Sequence, residues 1–112
     1  SKVYDGNYFY TVSEIVDFIS DNNLRNTKTM IDTHNIILEH ENPISVFIEN
    51  KKYITHVHVS EKNLKDFEYS DIHKQFSNQL KESNYTGLII YECKPSNNLS
   101  KSLELFSKTY NI

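Results

Sequence analysis

Apolar residues along this 112-residue chain alternate between helical spacing and short continuous runs. Val12, Ile15, Val16 and Ile19 form one stripe at helical spacing, and Thr11-Val12-Ser13-Glu14 in front of it fits a capping box. Asp21-Asn22-Asn23 closes that helix, with Asn22 or Asn23 suited to a left-handed cap. Lys28–Asp32 predicts a short strand. A second helical region starts from Ile36 and is broken or restarted at Pro43, which suits a first turn after Asn42. Tyr53–Val59 is the clearest strand, rich in β-branched and aromatic residues, and Ser60–Tyr69 reads as a polar loop. Ser70 or Asp71 caps a third helix striped by Ile72, Phe76 and Leu80. Gly87–Glu92 is nearly all apolar, which predicts a strand covered on both faces. Pro95–Asn98 is a turn, and Leu99, Leu103 and Phe106 stripe a final helix. At the other end, Asp5-Gly6-Asn7 reads as a turn in a polar, aromatic segment.

The resulting order, α-β-α-β-α-β-α, calls for a parallel sheet. Asp32 and His58 are 26 residues apart, and His58 and Glu92 are 34 apart. A β/α barrel of about 250 residues in eight units has roughly 31 residues per repeat, so the spacing matches; flavodoxin-like sheets are the alternative. Three strands cannot close a barrel. The chain is therefore expected to be one partial domain over residues 1–112. It opens Ser1-Lys2-Val3 with no initiator Met, which is compatible with processing or with a fragment, and the three strands make a fragment of a longer chain the expectation.

Composition narrows the functional classes. A net charge of −3, with 12 Lys and Arg scattered singly apart from Lys51-Lys52, argues against nucleic-acid binding. No apolar run approaches the roughly 18 residues that span a bilayer, and no signal pattern is present. Two glycines exclude a P-loop and a GxGxxG fingerprint. The single cysteine, Cys93, excludes an internal disulfide and fits a reducing cytoplasm, which is the expected location.

The chemistry-bearing residues sit at strand ends. Lys28–Asp32 ends in Asp32, Tyr53–His58 in His58 and Gly87–Glu92 in Glu92. At the same end of successive parallel strands, these three metal-binding side chains would converge, and that rim is where β/α barrels place catalytic residues. Asp32 can instead cap the helix that follows it. His34 reads equally as a ligand or substrate contact and as a loop histidine. His56 and His58 share one strand face, since side chains alternate with period two. Neutral imidazole binds divalent ions well, so His58 is the better ligand and His56 packs beneath it to orient it; the alternative is a hydrogen-bonded pair inside the sheet. Glu92 would be costly to bury without a cation or a partner. Cys93 points to the opposite face and reads as packing. In Asp71-Ile72-His73 the simplest reading makes Asp71 a helix cap, and His40 reads as solvated surface. Tyr8, Phe9 and Tyr10 form either a pocket wall or aromatic core.

These segments resemble the xylose isomerase-like barrel superfamily of sugar isomerases and epimerases, with the related apurinic-site endonucleases. The similar motifs are Asp32-Thr33-His34, His56-Val57-His58-Val59-Ser60-Glu61, and Tyr85-Thr86-Gly87 leading to Glu92, in order over nearly the whole chain. The resemblance implies an α/β fold that is the C-terminal part of a TIM barrel, about strands six to eight with their helices. It implies a divalent ion (Mn, Zn, Co or Mg) on Asp32, His58 and Glu92, with a fourth ligand upstream at the end of strand five. It also implies isomerisation of a small sugar or sugar phosphate through an enediolate, with Glu92 as general acid/base. His34, Asn35 and Glu61 are the implied substrate contacts and His56 the supporting residue. Two positions depart from the family pattern: His34 stands one residue early, with Asn35 in its usual place, and Leu64 replaces a usual Arg. Two other functions compete with this one. An apurinic-site endonuclease would need more His ligands and a basic groove, and a barrel-derived binding module would have no catalysis. No nucleic-acid or membrane partner is expected. The 112 residues alone are expected to be inactive, and two open sheet edges point to homo-oligomerisation.

Overall fold

The computed structural model describes residues 1, 2, 6 and 8–111. The turn expected at Asp5-Gly6-Asn7 therefore lies, apart from Gly6, outside the described residues. The elements are α1 (Val12–Asp21), β1 (Thr29–Asp32), α2 (Thr33–Leu38), α3 (Pro43–Asn50), β2 (Ile54–Ser60), α4 (Asp71–Glu82), β3 (Leu88–Glu92) and α5 (Leu99–Thr109), with one 3-10 turn at Lys62–Leu64.

Local chemistry sets most boundaries. The Thr11 hydroxyl accepts the Glu14 amide at 3.2 Å while the Glu14 carboxylate accepts the Thr11 amide at 3.1 Å, completing the capping box of α1. Amide donation from Tyr10 and Thr11 lowers the pKa of the Glu14 carboxyl. Asn23 takes the left-handed conformation just past the helix (φ 52°). The Asn42 side chain accepts the amides of Ile44 and Ser45, and Pro43 opens α3. The second helical region begins at Thr33 rather than Ile36, because Asp32 caps it. No described helix is long and apolar enough to cross a membrane.

The strands form a parallel sheet in the sequential order β1-β2-β3. There is no reversal of strand order, the feature that marks a doubly wound sheet. Ile31, Val57 and Val59 are fully buried on one face, against a core that includes Phe47, Phe76 and Leu80. Met30, Asp32, His56, His58, Ser60, Leu88, Ile90 and Glu92 share the other face by register and alternation. A one-residue shift in register between Thr29 and Met30 brings Ile54 into the core.

Two sequence expectations are corrected. β3 is covered on one face only: Leu88 is 63% exposed and Ile90 39% exposed, because no described element packs on the face they share with His58. On α5 the buried side is not the Leu99–Leu103 stripe, since both leucines are exposed. Ser102, Leu105, Phe106 and Tyr110 turn inward instead. Phe106 stacks on Tyr91 with centroids 5.4 Å apart, and Phe67 lies 6.3 Å from Tyr110. Burying this aromatic group removes more apolar area than burying two leucines would, and this fixes the rotation of the helix.

Candidate metal centre

Register brings the three strand ends together. Asp32 pairs laterally with His58, and Ser60, two residues further along β2, pairs with Glu92. This stagger places Glu92 beyond the Asp32–His58 level, so that all three side chains reach one point. One ligand atom from each of Asp32, His58 and Glu92 lies within 4.8 Å of the others. His58 Nδ1 is 3.1 Å from Glu92 Oε2. The Glu92 side chain remains 44% exposed, so the open sheet face can be reached from solvent.

Asp32 caps α2 while its carboxylate also stands among the three converging side chains, so the cap does not remove it from the group. Its Oδ1 accepts the Asn35 amide at 2.9 Å, capping α2, and the Ser60 hydroxyl at 3.0 Å. Ser60 is held in turn by Thr33, whose hydroxyl accepts the Ser60 amide at 3.0 Å and donates to the Ser60 carbonyl at 3.1 Å. Sequence reasoning missed Ser60, although period two already put it on the face of His56 and His58. The His56 and His58 rings meet edge to face with centroids 4.9 Å apart, and His56 Nε2 is buried with no hydrogen-bond partner.

The remaining sequence candidates are dispersed. His34 is buried in α2 and stands outside the group of converging ligand atoms. Asn35 lines a cavity of about 230 Å³ together with Phe9, Tyr10, Met30, Asp32 and Glu41. Tyr8, by contrast, is fully exposed. Burial raises the Glu41 carboxyl pKa, with Glu39, Glu49 and Glu14 adding to the effect. Glu61 turns its carboxylate towards α4, where Oε1 accepts from the Glu68 amide at 3.2 Å and lies 3.0 Å from His73 Nε2. The sequence offered His73 only as an imidazole at a helix start; its link to Glu61 and Tyr110 was missed, because these partners lie 12 and 37 residues away and leave no local signal.

Tyr85-Thr86-Gly87 explains how β3 starts. A Cβ at Gly87 would collide with the Tyr85 ring and the Thr55 carbonyl oxygen, so only glycine lets β3 begin beside β2.

Comparison with known proteins gives the same architecture. The family model for xylose isomerase-like TIM barrels matches residues 3–109. No match is found among curated protein sequences. Among solved structures, 3-keto-D-glucoside 4-epimerase from E. coli superposes with a TM-score of 0.82 at 19% identity, covering 94% of this chain and 42% of that one. D-allulose 3-epimerase from Methylomonas sp. gives 0.71 at 22% identity, covering 92% and 38%. D-psicose 3-epimerase from Clostridium cellulolyticum H10 gives 0.66 at 22% identity, covering 94% and 38%. The chain thus spans about two fifths of the length of these proteins, and its sheet is part of a TIM barrel.

Proposed function

We propose, since this chain belongs to the xylose isomerase-like TIM barrel family, that Asp32, His58 and Glu92 hold a divalent ion in a sugar isomerase or epimerase. The observation that carries this reading is the convergence of the three side chains within 4.8 Å. Ligands bonded at roughly 2.0–2.2 Å lie at most about 4.4 Å apart, so small side-chain rotations suffice to close the set on one ion. Two carboxylates and an imidazole suit Mn, Zn, Co or Mg. When bound, such an ion supplies Lewis-acid polarisation of a sugar carbonyl, which makes the neighbouring C–H more acidic.

The chain's own residues supply the rest. Glu92, exposed on the open face, takes the proton from the carbon beside the carbonyl and returns it. Asp32 contributes charge, oriented by the hydroxyl of Ser60. His56 packs under His58 and fixes its ring. Asn35, which lines the Phe9–Tyr10 cavity, contacts substrate hydroxyls. The substrate is a small sugar or sugar phosphate. A fourth ligand, which is also the second proton-transfer group, comes from the remaining strands of the barrel, so the 112 residues alone are inactive.

The test uses the closed barrel that contains this segment. With Mn2+ in deuterated water, D-fructose or D-allulose is expected to exchange the proton next to its carbonyl. Glu92→Gln is expected to slow that exchange by roughly 10²–10⁴-fold. Exchange at the wild-type rate in Glu92→Gln would remove Glu92 from the chemistry.

A further inference from the structure

Glu61, His73 and Tyr110 form one hydrogen-bonded line across three elements that are far apart in sequence. His73 Nε2 lies 3.0 Å from Glu61 Oε1, and Nδ1 lies 2.7 Å from the Tyr110 hydroxyl. His73 is only 4% exposed, and the Phe67 ring packs 4.9 Å from its own. An ionised carboxylate can only accept, so Nε2 carries the proton and donates to Glu61. In the neutral ring Nδ1 then accepts from Tyr110.

The line ends beside the metal centre. Glu61 directly follows Ser60, the last residue of β2, whose hydroxyl donates to Asp32 Oδ1 at 3.0 Å. The Glu61 carbonyl accepts the Leu64 amide at 2.8 Å, and its carboxylate accepts the Glu68 amide at 3.2 Å. Both sides of the turn after β2 are therefore gathered on Glu61. That turn carries Asn63 and Leu64 at φ 61° and 55°, a conformation that costs energy for non-glycine residues and persists only where the surroundings enforce it. A buried histidine that served packing alone would not need a carboxylate partner on the residue next to Ser60.

We infer that His73 is a positioning residue: by holding Glu61 it fixes the turn after β2, and so keeps the Ser60 hydroxyl on Asp32. This rests on the reading of Asp32 as a metal ligand. Partners that orient ligands typically change metal affinity by roughly 10–100-fold when removed, and that is the effect to look for.

The test is Mn2+ titration of the protein, read together with the backbone amide resonances of Asn35 and Ser60. At a temperature where the variants are folded, His73→Ala and Glu61→Ala are expected to weaken Mn2+ binding by about tenfold or more and to shift both amides. Glu61→Gln keeps an acceptor oxygen for His73 and is expected to bind within about twofold of wild type. A purely structural role would lower the melting temperature while leaving the affinity of the folded protein unchanged. The inference is overturned if folded His73→Ala binds Mn2+ like wild type and leaves the Asn35 amide in place. Should His73→Ala fail to fold, Glu61→Ala decides on the same criteria. If the wild type binds no Mn2+, the metal reading falls, and the two amides alone decide whether His73 positions Asp32: unmoved, they overturn it.

Discussion

Asp32 accepts the Asn35 amide through Oδ1 at 2.9 Å, so the strand-end carboxylate is at once the N-cap of α2 and one of the three converging side chains proposed to hold a metal ion. The two roles separate by substitution. Asn is as good a cap as Asp, whereas Ala loses a cap contribution of about 1 kcal/mol. Asp32→Asn is therefore expected to leave the urea midpoint near wild type and to lose divalent binding, while Asp32→Ala loses both. Equal Mn2+ affinity in wild type and Asp32→Asn would leave Asp32 as a cap alone.

Gly87 is required because of space. Its missing Cβ leaves room for the Tyr85 ring and the Thr55 carbonyl. Gly87→Ala must push β3 off β2 or displace Tyr85, and overpacking of this kind costs about 1–3 kcal/mol in denaturant unfolding. A neutral or stabilising effect would mean that the strand start is looser than the contacts indicate.

Burial pushes the Tyr85 phenol up to about 12, and burial with the nearby Glu61 charge pushes Tyr110 up as well. The unfolded chain ionises these phenols first, near pH 10. The Tyr85 contribution to stability is thus complete below about pH 10 and is lost as pH rises through 12, while that of Tyr110 is lost over a window that extends higher. The denaturation midpoint of wild type is expected to fall across that window, and that of Tyr85→Phe to fall less. Parallel curves for the two proteins would contradict the assignment.

The two sheet faces are expected to respond differently. Ile31 is fully buried against the helices, and Ile31→Ala should cost about 2–5 kcal/mol. Leu88, 63% exposed, should change stability by less than about 0.5 kcal/mol when replaced by Ala. In the 112 residues alone, the same open face and the edges β1 and β3 are expected to promote self-association, which Leu88→Lys should reduce in sedimentation velocity. A large stability loss in Leu88→Ala would show that something covers this face.

The elements were legible in the sequence where local chemistry decides them. Thr11 with Glu14, Asn42 with Pro43, and the β-branched run around His56 each specify their own segment. Asp32, His58 and Glu92 were legible as candidates because strand ends can be read from composition, and parallel pairing does the rest. Non-local effects were not legible. The rotation of α5 follows from aromatic rings on two other segments, Phe67 in the loop and Tyr91 on β3. The buried place of His73 depends on Glu61 and Tyr110. The open face of β3 depends on which strands lie next to it, and an apolar run such as Leu88–Ile90 reads the same in either setting.

Calorimetric Mn2+ titration of the closed barrel that contains this segment, as wild type, His58→Ala and Glu92→Gln, tests the metal centre most directly. One ion per chain is expected in wild type, with both substitutions weakening binding by roughly 10–100-fold or more, since each removes a group at least as close to the ion as an orienting partner. Wild-type affinity retained in both variants, or no binding by the wild-type protein, would contradict it.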